Sequence, residues 1–340
     1  MRTENSKAGI YTAISVVVFI AVFISALAIG RYSLTIQDVM DFFTGNLPHS
    51  SNQYKVIHDL RLPRTIIAAL VGIGLSLSGL LYQETFQNKL VSPDFLGVTS
   101  GASVGAAIAI LIGLTSFEIS VFAFVTGIIA VGITLALSRA FQNRSPTILL
   151  LSGIIVGGLM SAILSIIKYM ADPESTLSSI TFWLMGSCEH STMEDVAVLF
   201  PIVIICAAIL ITIRWRINLV ALGREEAQTK GLNYNLYRNI IIVMATLMTA
   251  SSVAIVGTVG WIGLVIPHMT RLLVGRNTAN TIPLTVAFGA VFMIIVDILS
   301  RTFTDSEIPL SAITGLFGTV IFIIIIYFRR RSILESDRAA

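Results

Sequence analysis

Charged residues are scarce in this sequence. Asp, Glu, Lys and Arg make up 12% of its 340 residues, whereas an ordinary soluble domain carries about 25%. Apolar residues reach 55% and the mean hydropathy is +0.88. This composition excludes a soluble globular protein and a disordered chain. The net charge of +3 is also too small to predict a nucleic-acid or other polyanionic partner.

Cysteines and phosphate-binding motifs are equally scarce. Two cysteines, Cys188 and Cys206, cannot form a disulfide framework or a four-cysteine metal site, and the four histidines are scattered. No Gly-Lys dipeptide occurs, so the chain has no Walker A loop for nucleotide phosphates. We therefore expect no catalytic site, no metal site and no cofactor in this chain, and any ATP-binding site must belong to another subunit.

Long uncharged runs dominate what is present. A helix needs about 20 apolar residues to cross the bilayer core, and the run Asn239–Thr270 is too long for one crossing. Dividing it near Gly257–Gly260 brings the total to ten helices, the first of which is too long for a signal peptide. The sequence predicts an all-α polytopic membrane protein with one transmembrane domain over residues 1–340. The other runs are Ala8–Gly30, Thr65–Gln83, Phe95–Phe117, Ile119–Ser138, Ser145–Ile167, Val196–Ile213, Asn277–Val296 and Ile308–Phe328.

The orientation follows from the lysines and arginines of the loops. An even number of crossings places both termini on one side. If that side is the cytoplasm, most of the 22 basic residues lie inside, including the cluster Arg329–Arg331. The basic residues predicted at outer positions are Arg31, Lys55, Arg61, Arg64, Lys168 and Arg301.

Ionisable residues within the predicted spans are few. Asp297 and Arg301 lie four residues apart, a spacing that predicts a pair on one helical face. Glu84 is expected at the inner interface near Lys89, and His268 is expected to make a structural hydrogen bond. There is no series of buried carboxylates typical of a proton-driven pump. An ion-coupled secondary transporter is therefore a weaker interpretation than a transport subunit that works with a separate ATP-binding chain. A structural membrane protein is weaker still.

One cytoplasmic segment, residues 218–232, differs from the other loops. Gly223 and Gly231 predict breaks on either side of a short helix, Arg224–Lys230. Glu225 and Glu226 stand near the start of that helix, where they favour its dipole. A short exposed helix suits docking on a partner, and a solvated connector is the alternative.

The ordered motifs resemble those of the permease subunits of the iron-siderophore, haem and cobalamin family of ABC importers, which have the type II, ten-helix architecture. The resemblance runs from about Arg61 to Arg331. Its most specific part is Gly257-Thr-Val-Gly-Trp-Ile-Gly-Leu-Val-Ile-Pro-His-Met-Thr-Arg271. The other matching positions are Arg61-Leu-Pro-Arg64, Gly72, Ser78-Gly79, Gln83, Asn88, Leu90, Pro93, Leu96-Gly97, Gly101-Ala102, Pro283, Gly289-Ala290, Asp297, Arg301, Glu307-Ile-Pro309 and Gly315.

This resemblance implies a set of partners. A second permease chain, identical or homologous, would complete the pathway, and two cytoplasmic ATPases would carry ATP and Mg. An extracytoplasmic binding protein would deliver the cargo. The positions that match the family's ATPase-coupling loop are Gly223, Glu225, Glu226, Ala227 and Gly231, and those that match its docking arginines are Arg61, Arg64 and Arg301.

The resemblance also implies a cytoplasmic gate and a cargo. The gate positions would be Asn88, Leu90, Asn143, Ser145 and Thr147. Lys89 replaces a proline that is common in the family, and Val91 replaces the usual alanine. A ferric siderophore is the favoured cargo, with haem, cobalamin or an oxyanion as alternatives. The expected location is the cytoplasmic membrane of a bacterium.

Overall fold

The computed structural model describes residues 2–141, 145–275 and 277–338. Those residues are overwhelmingly helical and contain no β-strand. Asn143, one of the predicted gate positions, lies outside the described residues. The α-helices are α1 (Arg2–Ala28), α2 (Ile36–Thr44), α3 (Asn52–Lys55), α4 (Leu62–Thr85), α5 (Val98–Leu111), α6 (Ser116–Ala140), α7 (Pro146–Met170), α8 (Thr176–Met185), α9 (Met193–Thr212), α10 (Arg214–Ala221), α11 (Arg224–Thr229), α12 (Tyr234–Val256), α13 (Ile262–Val274), α14 (Thr278–Thr302) and α15 (Leu310–Arg338).

Within the described residues, eight helical stretches are long and apolar enough to cross a bilayer. They comprise α1, α6, α7, α9, α12, α14, α15 and a continuous stretch from Asn52 to Thr85. In that stretch a π-helical segment, Val56–Arg61, joins α3 to α4. Three shorter apolar helices, α5, α8 and α13, are also present among the described residues, and two of them, α5 and α13, fall within predicted spans. The all-helical polytopic fold is confirmed.

Helix α5 departs from the expected full crossing, whereas α13 is the shorter of the two helices expected from the division of Asn239–Thr270. The run Phe95–Phe117 does not form one long helix, because Gly97 and Gly113 take positive φ angles of 80° and 75° and end α5 on both sides. A 3₁₀ turn, Pro93–Leu96, precedes it. The run Asn239–Thr270 divides between Gly257 and Trp261, as predicted near Gly257–Gly260. Both α5 and α13 extend only about 20 Å at 1.5 Å per residue.

The centre of the molecule is α4, which packs against α9, α12, α13 and α14. In its most apolar window 89% of the residues are buried, compared with 28% in α6, α7, α9 and α15. Glycines permit the closest approaches. A Cβ added to Gly72 would lie 2.1 Å from the carbonyl oxygen of Gly289, and one added to Gly79 would lie 1.9 Å from that of Gly263. Helix α4 is therefore the axis around which the other helices are arranged.

Two shorter elements complete the fold. Residues 31–61 form α2, α3 and the π-helical segment. Helix α8 has no counterpart among the predicted spans. Its C-terminal Gly186 contacts the chain near Gly257, and Ser187 donates a backbone hydrogen bond of 2.8 Å to the carbonyl of Val256.

Candidate functional site

The coupling segment, residues 218–232, contains the short helix that the sequence predicts. Gly223 has a φ of 100° and precedes α11, and Gly231 has a φ of 77° and follows it. Glu225 and Glu226 are exposed on α11, whereas Ala227 is fully buried. Ala227 belongs to the same apolar cluster as residues of α4 and α12. The helix is therefore seated on the helical bundle through one small side chain, and its acidic face is left open.

Gln87 connects this segment to the end of α4. Its amide nitrogen donates a hydrogen bond of 3.2 Å to the carbonyl of Ala221. A Cβ on Gly223 would lie 2.7 Å from the same nitrogen, so the glycine makes room for the contact. Gln87 itself has a φ of 51°, which a non-glycine residue rarely adopts. The residue that links the two segments is thus held in an unfavourable backbone conformation by its surroundings.

The predicted gate positions occupy two separate chain segments. Asn88 and Leu90 lie in the loop that follows Gln87, and 61% of Leu90 is exposed. The side-chain oxygen of Asn88 accepts a hydrogen bond of 2.9 Å from the backbone amide of Leu90 and so fixes the turn. Ser145 caps the start of α7 by accepting a hydrogen bond of 3.3 Å from the amide of Thr147. The role of these residues as a gate stays a prediction.

A buried polar cluster supports the Asn88–Leu90 loop from behind. Lys89 donates a hydrogen bond of 2.8 Å to Glu84, and Arg271 contacts the other oxygen of that carboxylate at 3.0 Å. Arg271 also donates to Gln83 at 2.6 Å. Glu84 is only 3% exposed and lies beside Lys89, as expected. Arg271, distant in sequence, is its second partner, and Lys89 in place of the common proline completes the cluster.

The outer ends of the helices carry a second buried network. Arg64 donates to Asp297 at 2.6 Å and binds both carboxylate oxygens of Glu307, at 2.6 and 2.8 Å. Asp297 is fully buried and also lies 3.5 Å from Arg301. This confirms the predicted pair at four-residue spacing. The network joins α4, α14 and the segment before α15.

Arg61 and Arg301 bind backbone carbonyls around the end of α1. Arg61 donates to the carbonyls of Leu27 and Ala28 at 2.7 Å each, and also to that of Tyr32. Arg301 donates to the carbonyl of Ala26 at 2.7 Å. These carbonyls include acceptors that the last turn of α1 leaves without intrahelical partners. The two guanidinium groups therefore anchor α1 to the π-helical segment and to α14.

The three arginines predicted to dock the binding protein are buried within the chain. Arg61, Arg64 and Arg301 are only 4%, 7% and 6% exposed. Charged groups near a membrane core are stable when they are paired, and partners within the chain meet that need here. Contact with a binding protein would require the side chains to leave these partners. The docking role stays a prediction.

His268 behaves as expected. Its Nδ1 lies 2.8 Å from the carbonyl oxygen of Leu264, one turn earlier in α13. In the described part of the chain there is no group of three or more His, Cys, Asp or Glu side chains that could hold a metal ion.

Comparisons with known proteins agree with this architecture. A model of the FecCD transport family matches residues 17–328. The molybdate import system permease MolB of Haemophilus influenzae is 38% identical over 309 residues, which cover 90% of this chain and 92% of MolB. A protein of Helicobacter pylori, assigned as an iron chelatin transport system permease, is 36% identical over 278 residues, which cover 82% of this chain and 84% of that protein.

A solved structure extends the similarity to three dimensions. It is described as an inward-facing conformation of an ABC transporter of the metal-chelate type. Its chain is 36% identical to this one, the match covers 93% of this chain and 98% of the other, and the TM-score is 0.84. ATP hydrolysis in such transporters belongs to a separate chain. The protein is therefore a member of the FecCD transport family, a multi-pass, non-catalytic permease subunit of an ABC transporter.

Proposed function

We propose that this permease imports a ferric siderophore across the cytoplasmic membrane of a bacterium. It would pair with a second permease chain, identical or homologous, and the cargo would pass between the two. Two ATPase subunits would hold ATP and Mg on the cytoplasmic side, and an extracytoplasmic binding protein would deliver the chelate. The observation that supports a chelate cargo best is the similarity, over nearly the whole chain, to a transporter of the metal-chelate type.

The coupling segment offers a surface for the ATPases. Glu225 and Glu226 are exposed at the N-terminal turn of α11, where a partner's lysines and arginines could pair with them. Buried Ala227 fixes this helix to the bundle, so a displacement of α11 would be transmitted to α4 and α12 rather than lost in a loose loop. This arrangement supports a coupling role better than that of a solvated connector.

Gln87 gives the coupling segment a direct connection to the proposed gate. Its side chain binds Ala221 just before α11, and its backbone leads into Asn88 and Leu90. Movement of α11 toward or away from the membrane would therefore pull on the loop that carries Leu90. The cluster of Glu84, Lys89 and Arg271 would oppose that pull, because it ties the same loop to α13.

Molybdate is a second candidate cargo, and a specific observation favours it. The relative from Haemophilus influenzae imports molybdate and is 38% identical over 90% of this chain. A ferric siderophore and a molybdate dianion differ strongly in size and charge. Relatives with the same permease fold are named for both kinds of cargo, so family membership alone does not identify the cargo of this chain.

An uptake experiment in cells of the source bacterium distinguishes the two cargoes. Cells that lack this permease would receive either radioactive iron as a preformed hydroxamate or catecholate chelate, or radioactive molybdate. We expect loss of chelate uptake, restoration by the wild-type gene, and unchanged molybdate uptake.

A variant with lysine at both Glu225 and Glu226 serves as the control for transport by the assembled importer, and we expect it not to restore uptake. Loss of molybdate uptake with normal chelate uptake would contradict the proposed cargo and leave the importer function intact.

A further inference from the structure

A cavity with a mixed polar and apolar lining lies where the two short helices begin. Its volume is about 290 Å³, and it combines the turn before α5 with the break between α12 and α13. Neither region is regular α-helix. Irregular backbone at membrane depth is tolerated only where protein buries it or where it lines a water-filled space. The lining residues are Asp94, Thr99, Thr258, Val259, Gly260, Trp261 and Ser311.

Contacts to the long helices place this cavity within the membrane. A Cβ on Gly153 would lie 2.0 Å from the carbonyl oxygen of Phe95, so Phe95 lies beside Gly153. Gly153 is about 10 Å along α7 from the start of that helix at Pro146. A Cβ on Gly263 would lie 2.5 Å from Pro93 and 3.0 Å from the carbonyl of Leu75. Leu75 is about 15 Å from the inner end of α4. Asp94, between Pro93 and Phe95, is therefore at the depth of the hydrocarbon core.

Asp94 is exposed on the surface of the single chain despite this depth. The hydroxyl of Thr99 donates to one carboxylate oxygen, and the hydroxyl of Ser92 donates to the other at 3.4 Å. Both carboxylate oxygens of Asp94 therefore have a hydrogen-bond partner. A carboxylate facing lipid costs several kcal/mol, about 2.5–3.5 on insertion scales. An exposed, hydroxyl-stabilised carboxylate at this depth is therefore expected to face water.

Trp261 forms the aromatic wall of the cavity. Its φ of 71° is unusual for a bulky residue, and 37% of it remains exposed. The ring rests on α15, where a Cβ on Gly318 would lie 2.6 Å from the tryptophan Cβ. A glycine on the neighbouring helix thus makes space for a strained tryptophan beside a carboxylate. Strain maintained in this way is typical of functional positions.

We infer that this cavity opens onto the translocation pathway and forms a contact point for cationic or hydrogen-bond-donating groups of the cargo. Asp94 is the one charged side chain among its lining residues, all of which the structure describes. A carboxylate beside an aromatic face attracts cations and repels oxyanions. The inference rests on the proposed transport function and adds a specific site and a charge preference to it.

Thiol labelling in membrane vesicles tests the inference without any cargo. Ser311→Cys and Gly260→Cys would place a thiol in the cavity, and a Cβ on Gly260 meets no atom within 4 Å. Native Cys188 and Cys206 are buried and give little background. The probes are a trimethylammonium and a sulfonate methanethiosulfonate, applied to the assembled transporter. Ser50→Cys in the exposed outer loop gives the ratio of the two labelling rates, cationic to anionic, at a thiol that is open to water. Ile129→Cys on the apolar surface of α6 is the control that should not react.

We expect both cavity thiols to react and to favour the cationic reagent about fivefold over the ratio at Ser50→Cys, a factor that corresponds to about 1 kcal/mol. Asp94→Asn should remove that preference while labelling continues. Unreactive thiols at both cavity positions, or a charge preference that persists in Asp94→Asn, would overturn the inference. Because no cargo is used, failure of chelate uptake in cells would leave this result intact.

Discussion

At the scale of single residues, the buried arginines define how the outer half of the molecule is held together. Each guanidinium group meets carboxylates or helix-end carbonyls within the same chain. Arg64 is the clearest case, because it binds Asp297 and Glu307 simultaneously while only 7% exposed. Removing one partner of a buried ion pair leaves the other charge without compensation, which costs more than the pair itself contributes.

Replacing Arg64 with glutamine is therefore expected to destabilise the protein by about 3–5 kcal/mol. The measurement is thermal unfolding of the purified protein in mild detergent. Arg139→Gln is the matched control, because Arg139 is exposed near the end of α6, and we expect a change within about 0.5 kcal/mol. Unchanged stability in Arg64→Gln, together with weaker capture by a binding protein, would support direct docking by Arg64 instead.

The sequence identified these arginines as candidate site residues but did not predict their burial. The pairing of Asp297 with Arg301 was predictable, because both residues lie on one helix at a spacing that local geometry determines. The contacts of Arg64 with Asp297 and Glu307 join residues more than 230 positions apart. Such contacts depend on how α4 and α14 pack, and no local pattern in one sequence reveals that arrangement. The same reason explains why Arg271 was missed as the partner of Glu84.

At the scale of elements, close helix crossings depend on individual glycines. The hydrophobic runs predicted which segments form helices, and the glycines in the long run predicted where it divides. They did not predict which helix is central. Apolar length is similar in α4 and α6, yet only α4 is surrounded by other helices. The difference lies in small residues such as Gly72 and Gly79, which permit neighbouring backbones to approach.

A pair of glycine variants tests this interpretation. Gly79→Ala should destabilise the protein by about 1–3 kcal/mol, because the new methyl group would overlap the backbone of Gly263. In Gly132→Ala, on α6, the added methyl group meets no atom within 4 Å, so this variant should be neutral or slightly stabilising. Thermal unfolding in detergent compares the two variants. Equal changes in stability for the two variants would mean that α4 and α13 can move apart without a loss of stability.

At the scale of the whole molecule, the coupling segment and the cavity lie at different depths of the helical bundle. The coupling segment contacts the loop of Leu90 at the end of α4 through Gln87, and the cavity opens about 15 Å from that end, at the start of α5 and α13. The position of the coupling helix was predictable, because its glycines and acidic residues are local signals. The cavity was not, because Asp94 and Trp261 are brought together only by the packing of two interrupted helices.

The most direct test of the account is affinity purification of this chain from native membranes in mild detergent, with mass spectrometry of the proteins that accompany it. We predict a separate ATPase that contains a Walker A motif. That ATPase should be lost when Glu225 and Glu226 are both replaced by lysine. It should be retained in Glu174→Lys, which alters an exposed acidic residue between α7 and α8. Reproducible purification without an ATPase, under conditions that preserve a control transporter, or equal recovery with both charge variants, would contradict coupling through α11.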